Sequence, residues 1–192
     1  GRGSPPSVTF ITFTTLFTAD RRVAYSHVRG SWYGDPMSKY FQNYLDIAQS
    51  ATPAQIEQAV QWYADAELLA HDVMRIIRER GIECNLEQAA SIVSSFSPRQ
   101  RWSRNVVQAL EFAHGGEPAG LKNNLRMAQF SLVQGFNALK GMKTNNFARA
   151  IAGDENAVTI DVWMMKAARM ETDSPNKTQY RELVDAVNKV AE

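Results

Sequence analysis

The sequence has little that could build a metal centre or a cross-linked fold. Its 192 residues include one cysteine, Cys84, and three histidines, His27, His71 and His114. A single cysteine excludes an intramolecular disulfide, a four-cysteine iron–sulfur cluster and a cysteine-rich zinc site, and it suits a reducing cytoplasm. The histidines are too scattered for an HExxH zinc motif. We therefore expect no metal ion and a cytoplasmic protein.

Long apolar runs are also absent. A transmembrane helix needs roughly 20 consecutive apolar residues, whereas the most suspicious segment, Val8–Phe17, is ten residues long and contains four threonines. The threonines also break the continuous apolar stretch that a secretory signal requires. We expect no membrane partner and predict that this segment is a β-prone arm, followed by a loop that ends near residue 35.

The chain as a whole has almost no excess of positive over negative charge, whereas its middle part does. Hydrophobic residues make up 44%, charged residues 21%, and the formal net charge is +1, which is typical of a soluble globular domain. From Ser97 to Gly153, however, eight lysines and arginines face only two glutamates, so the remainder is acidic. This distribution fits a phosphate-binding face, although a solvated helix surface explains the charges equally well.

Helix signals dominate the rest of the sequence. Residues 53–80 carry a broad apolar stripe after an N-cap threonine, a first-turn proline and a capping-box glutamine, and Gly81 supplies a stop. Similar signals predict further helices over residues 85–93, 97–113 and 121–134, and one from about residue 174 to the end. The fold class is mainly α, with one helical domain over residues 36–192, and the pattern leaves open a short β element at the N-terminus.

The most informative stretch runs from Leu139 to Ala168. Its first part reads as a helix, a tight turn at Gly141 and a second helix, whose backbone N–H groups and dipole attract a phosphate. Lys140 and Lys143 reinforce that field. Asp161 follows the apolar or β-branched residues 158–160 at the start of another helix, where a carboxylate serves as a base, as an electrostatic stabiliser or simply as an N-cap.

These residues resemble the helix-hairpin-helix DNA glycosylase superfamily. Leu139–Lys143 is similar to the hairpin that grips the DNA backbone, and Ile160-Asp161 is similar to the pair that carries the catalytic aspartate. Residues 94–100 and 120–125 resemble the helix that lines the base pocket and the helix before the hairpin. The resemblance implies a helical domain of this type. Lys143 replaces the second hairpin glycine. An alignment anchored on the hairpin puts the family's lyase lysine near Asn145, whereas one anchored on Asp161 puts it close to Lys143, 18 positions earlier.

A bacteriophage branch is more similar still, namely the amino-acid:DNA transferases, or glutamyl/putrescinyl-thymidine pyrophosphorylase-like proteins. The similarity rests on Ser97-Pro98-Arg99 with Trp102, Asn105, Gly141-Met142-Lys143, Gly153-Asp154 and Thr159–Trp163. It implies an enzyme that flips a pyrophosphorylated 5-hydroxymethyluracil out of the duplex and replaces pyrophosphate with an amine. The alternatives are a monofunctional glycosylase and a non-catalytic DNA-binding module.

The transferase hypothesis implies specific partners and residue roles. Double-stranded DNA and a free amino acid or polyamine are the partners of an expected monomer, in the host cytoplasm if the chain is viral; no organic cofactor is expected, and the hairpin allows for a monovalent cation. Asp161 and Lys143 are the candidate catalytic residues. Candidate substrate-binding residues are Arg99, Gln100, Arg101, Trp102, Asn105 and Trp163, of which the two tryptophans would stack on the base and the arginines would hold pyrophosphate. Candidate DNA-binding residues are Lys122, Asn123, Lys140, Gly141, Met142, Lys143, Thr144 and Asn145.

Overall fold

A computed structural model describes residues 39–172 and 174–191 of the chain. Over these residues the structure is helical, without a β-strand, which confirms the mainly α fold class. The predicted arm and loop, and with them any N-terminal β element, lie outside the described residues. The elements are α1 (Lys39–Gln49), α2 (Pro53–Glu79), α3 (Leu86–Ser95), α4 (Trp102–Ala113), α5 (Lys122–Gln134), a 3₁₀ helix (Gly135–Ala138), α6 (Met142–Ile151), α7 (Val162–Ala167) and α8 (Lys177–Ala191).

Three of these helices begin at capping boxes. The Thr52 backbone N–H donates to Gln55 Oε1 (2.9 Å) and the Gln55 N–H donates to Thr52 Oγ1 (3.3 Å). Asn85 and Gln88 exchange the same two bonds before α3, both at 2.8 Å. Asn176 and Gln179 do so before α8, at 2.9 Å each. These reciprocal bonds satisfy two otherwise free N–H groups per helix, which explains why the helix starts could be read locally.

The predicted start of α4 was wrong. The sequence placed it at Ser97, whereas α4 begins at Trp102. Arg99 lies in the left-handed region with φ of 58°, which interrupts the helix directly after Pro98. The Pro98 carbonyl accepts a hydrogen bond from Asn124 Nδ2 (3.3 Å) instead of from a helical N–H. A tertiary contact therefore overrides the local proline-start signal.

The described residues divide into two compact units. The described part of the first comprises residues 39–62, 160–172 and 174–191, and its core joins α1 to α7 and α8. The buried Tyr44 hydroxyl donates to the Met164 carbonyl (3.0 Å), and the Ile160 N–H donates to the Tyr180 hydroxyl (3.1 Å). Two tyrosines thus hold the backbone on both sides of Asp161.

The second unit, residues 63–159, is organised around α3. This helix packs against α4, α5, the 3₁₀ helix and α6, and it is buried along nearly its whole length. Small residues allow that close approach: Ser95 Oγ lies 3.1 Å from Ser131 Oγ in α5, and Ser94 Oγ donates to the Thr144 carbonyl in α6 (2.7 Å). The unit therefore fixes α6 directly against its central helix.

Candidate nucleic-acid interface

The predicted hairpin is present as a 3₁₀ helix, a short turn and α6. Gly141 is the N-cap of α6 and supplies no side-chain cap, and the first turn contains no acidic residue. The first N–H groups of α6 therefore have no capping acceptor from their own helix. Lys140 and Lys143 lie on either side of Gly141, and both side chains are exposed. Partial positive charge of the helix end and two lysine charges coincide here.

The same arrangement recurs at two other helices of this unit. Like α6, α4 and α5 begin without a side-chain cap and without an acidic residue in the first turn. Each instead has exposed basic residues at its start, namely Arg101 and Arg104 in α4 and Lys122 in α5. A cation at a helix N-terminus opposes the helix dipole, so these positions are unfavourable for the isolated fold. They are favourable for an anion that binds there.

Asn145 has a different position from the one that the sequence suggested. Its Nδ2 donates to the carbonyls of Phe136 (2.9 Å) and Leu139 (3.2 Å), and its Oδ1 accepts from Arg149 Nε (2.9 Å). The amide is thus engaged inside the hairpin. The Thr144 hydroxyl donates locally to the Gly141 carbonyl (3.1 Å). Among the predicted contacts from residue 140 to residue 145, Lys140, Gly141 and Lys143 are exposed.

The predicted substrate residues before and within α4 occupy contrasting environments. Arg99 and Arg101 are exposed, whereas Trp102 is half-buried with its ring edge-on to Phe147, at a centroid distance of 6.4 Å. Asn105 is 2% exposed, and its buried Oδ1 accepts no hydrogen bond within the described residues. Gln108, one turn further, was missed by sequence reasoning. Its Nε2 donates to the Ala119 carbonyl (2.6 Å), while its buried Oε1 likewise has no donor among the described residues.

Asp161 is the N-cap of α7, as one of its sequence interpretations required. Its Oδ1 accepts from the backbone N–H groups of Trp163 and Met164, both at 2.9 Å. Its Oδ2 receives no hydrogen bond within the described residues. Trp163 is half-buried and carries Lys166 Nζ over its ring, 4.3 Å from the centroid. The cap uses one carboxylate oxygen and leaves the other available.

Tyr44 lies close enough to interact electrostatically with the Asp161 carboxylate. Burial raises the pKa of the Tyr44 phenol above its ordinary value, and the negative charge of Asp161 raises it further. Tyr44 and Tyr180 were not identified from the sequence as positioning residues, since nothing in the spacing of residues 44, 161 and 180 indicates their contact. The structure places Asp161 and Trp163 in the first unit, and the other predicted site residues in the second.

Within the described residues there is no group of three or more histidine, cysteine, aspartate or glutamate side chains that could hold a metal ion. Over the same part of the chain, no helix is both long and apolar enough to span a bilayer.

A family model described as a family of unknown function, DUF7178, matches residues 32–192. The chain belongs to this family. The match covers every described helix of this DUF7178 protein. No curated protein and no solved structure matches the chain.

Proposed function

We propose that this DUF7178 protein binds double-stranded DNA through the start of α6 and chemically modifies a base. The observation that carries the proposal is the pair of exposed lysines, Lys140 and Lys143, at a helix N-terminus with neither a side-chain cap nor a first-turn carboxylate. Backbone N–H groups and lysine charges are the groups that bind phosphates without reading sequence. The similar starts of α4 and α5 support the same preference for a polyanion.

The proposed chemistry is the amine transfer that the resemblance to the phage transferases implies. An amine nitrogen forms a bond to the exocyclic methylene of the base, the bond from that carbon to the pyrophosphate oxygen breaks, and pyrophosphate leaves with the electron pair. The attacking ammonium must lose a proton, because only the free amine is nucleophilic. Asp161 is the proposed base, since its Oδ2 is not used by the helix cap.

Binding is tested by measuring the dissociation constant for duplex DNA against salt concentration. Each phosphate contact contributes a slope of about −0.9 to the log–log plot, so Lys140→Ala and Lys143→Ala should each flatten it by about that amount. Arg75→Ala is the matched control, because Arg75 lies in the same unit but is engaged by Asp72 and Glu79, at 3.3 and 2.7 Å. An unchanged slope in both lysine variants rejects the interface.

Chemistry is tested on duplex DNA that contains 5-pyrophosphoryloxymethyluracil, with a pool of amino acids and polyamines and with nucleoside mass spectrometry as the readout. The expected product is an amine adduct formed with loss of pyrophosphate, absent with Asp161→Asn. A released base and an abasic site would instead identify a glycosylase. DNA binding with neither product would favour the non-catalytic module.

A further inference from the structure

Asn145 and Arg149 form a connected set of contacts inside the hairpin. The Asn145 side chain bonds to the Phe136 and Leu139 carbonyls, and its backbone N–H donates to the Gly141 carbonyl (2.9 Å). One residue therefore fixes three carbonyls that bracket Lys140. Sequence reasoning placed Asn145 on the DNA; the contacts engage its amide within the protein.

Arg149 completes this set from one helical turn away. Its Nε donates to Asn145 Oδ1 (2.9 Å), its guanidinium lies over the Phe136 ring at 4.7 Å, and its Nη1 is 3.8 Å from Asp154 Oδ2. The planar guanidinium can make all three contacts at once, which a lysine ammonium cannot. Arg149 is thus the one basic residue of the hairpin region whose charge is matched by a carboxylate within the described residues.

We propose that Asn145 and Arg149 are positioning residues that hold Lys140 and the start of α6 in a phosphate-binding conformation, and that neither contacts the phosphate. This inference rests on the proposed DNA binding. Its physical basis is preorganisation: a turn that is already fixed loses less conformational freedom when the ligand binds. The Arg149 side chain is 43% exposed, but its guanidinium is engaged by Asn145, Phe136 and Asp154.

The first test compares Arg149→Lys with Arg149→Ala in the DNA-binding assay. Arg149→Lys keeps the positive charge but loses the guanidinium geometry. A positioning role predicts that both variants weaken binding by about tenfold, as expected for the loss of charge-assisted hydrogen bonds. If Arg149→Lys binds like the wild type while Arg149→Ala does not, Arg149 is a phosphate ligand and the inference is wrong.

The second test is a double-mutant cycle between Asn145→Asp and Lys143→Ala. Asn145→Asp keeps the acceptor for Arg149 but replaces the two amide donors by a carboxylate that repels the Phe136 and Leu139 carbonyls. If Asn145 acts by positioning the hairpin, Lys143→Ala should add less than twofold to the loss caused by Asn145→Asp. Fully additive losses would contradict the inference, since a merely structural change elsewhere would leave the lysine contact intact.

Asn137→Ala is the control for the loss of an exposed asparagine in the 3₁₀ helix, and circular dichroism verifies that each variant is folded. Wild-type binding without any salt dependence overturns the proposed function and this inference with it. Salt-dependent wild-type binding that Asn145→Asp leaves unchanged overturns the inference alone.

Discussion

Asp161 caps α7 and is also the base in the proposed reaction, and the two roles can be separated by substitution. One carboxylate oxygen accepts two backbone N–H groups and begins α7, and the other has no hydrogen bond within the described residues. The Tyr44 and Tyr180 hydroxyls fix the backbone at Met164 and Ile160. Such a cap would hold the other oxygen in place before a substrate arrives, as the proposed proton transfer requires.

Substitutions at Asp161 should therefore separate stability from chemistry. Asparagine caps a helix about as well as aspartate, whereas alanine loses roughly 0.5–2 kcal/mol. We expect Asp161→Asn to melt like the wild type and Asp161→Ala to melt lower, with product formation lost in both. Thermal denaturation and nucleoside mass spectrometry measure the two effects. Residual activity of Asp161→Asn equal to the wild type would leave Asp161 as a cap only.

Tyr44 should make the protein sensitive to alkali. Its pKa is raised in the folded state, first by burial and then by Asp161, from the ordinary value of 10.0. A raised folded pKa gives stability that is complete below pH 10.0 and is lost as the pH rises towards the folded value. Tyr44→Phe removes this titration but also the hydrogen bond to Met164, at a cost of about 1 kcal/mol.

Urea denaturation at pH 7 to 11 measures this difference. We expect Tyr44→Phe to be less stable than the wild type at neutral pH and the gap to narrow above pH 10.0, the ordinary tyrosine value. A constant gap over the whole range would mean that Tyr44 does not contribute to alkaline unfolding.

Asn105 is the residue at which fold and function should conflict. Its buried Oδ1 has no donor among the described residues, and an unsatisfied buried carbonyl costs roughly 1–3 kcal/mol. Leucine has the same branched arrangement of four side-chain heavy atoms and no polar atom. We expect Asn105→Leu to raise the melting temperature and to decrease the product of the proposed transfer, for which Asn105 is a candidate substrate-binding residue. A lower melting temperature would show that the amide is satisfied in solution.

At the scale of elements, the starts of α4, α5 and α6 favour an external anion over internal stability. Exposed basic residues stand where aspartate or glutamate would complement the helix dipole. By contrast, α3 begins with a capping box and Glu87 in its first turn. The second unit thus contains one α-helix whose N-terminus is capped for stability, α3, and three whose N-termini are not.

Charge reversal at these starts should change stability and binding in opposite directions. Lys143→Glu and Lys122→Glu place a carboxylate near the helix N-terminus, which stabilises an exposed helix by about 0.3–1 kcal/mol. Both variants should melt slightly higher than the wild type and bind DNA more weakly. Chemical denaturation measures the stability of the two variants, and fluorescence anisotropy measures their DNA binding. Lower stability in both variants would show that the lysines are structural.

Much of the element order could be predicted because its signals are local. The boxes at Thr52, Asn85 and Asn176 depend on residues three apart, and all three helices begin where these pairs form. The last helix begins at Lys177 after the Asn176 cap, close to the predicted start near residue 174. The start of α4 failed because Asn124, distant in sequence, captures the Pro98 carbonyl.

At the scale of the whole molecule, the sequence predicts where basic residues are concentrated but not which of them are engaged by other side chains. Counting residues identified the basic segment 97–153, but not that Arg149 is held by Asn145 and Asp154. The spacing of Asn145 and Arg149 allows a contact on one helix face. The contacts of both residues with Phe136 depend on tertiary packing. The division into two compact units also follows from contacts between distant segments, which no periodicity reveals.

The contrast between capped and uncapped helices has a consequence for the order of folding. The boxes that begin α2 and α3 satisfy their terminal N–H groups without help from the rest of the chain, so these helices can form early. The helices α4, α5 and α6 lack such boxes and depend on docking against α3. We therefore expect the starts of α4, α5 and α6 to assemble after α3 and their backbone amides to exchange hydrogen faster than those of α3.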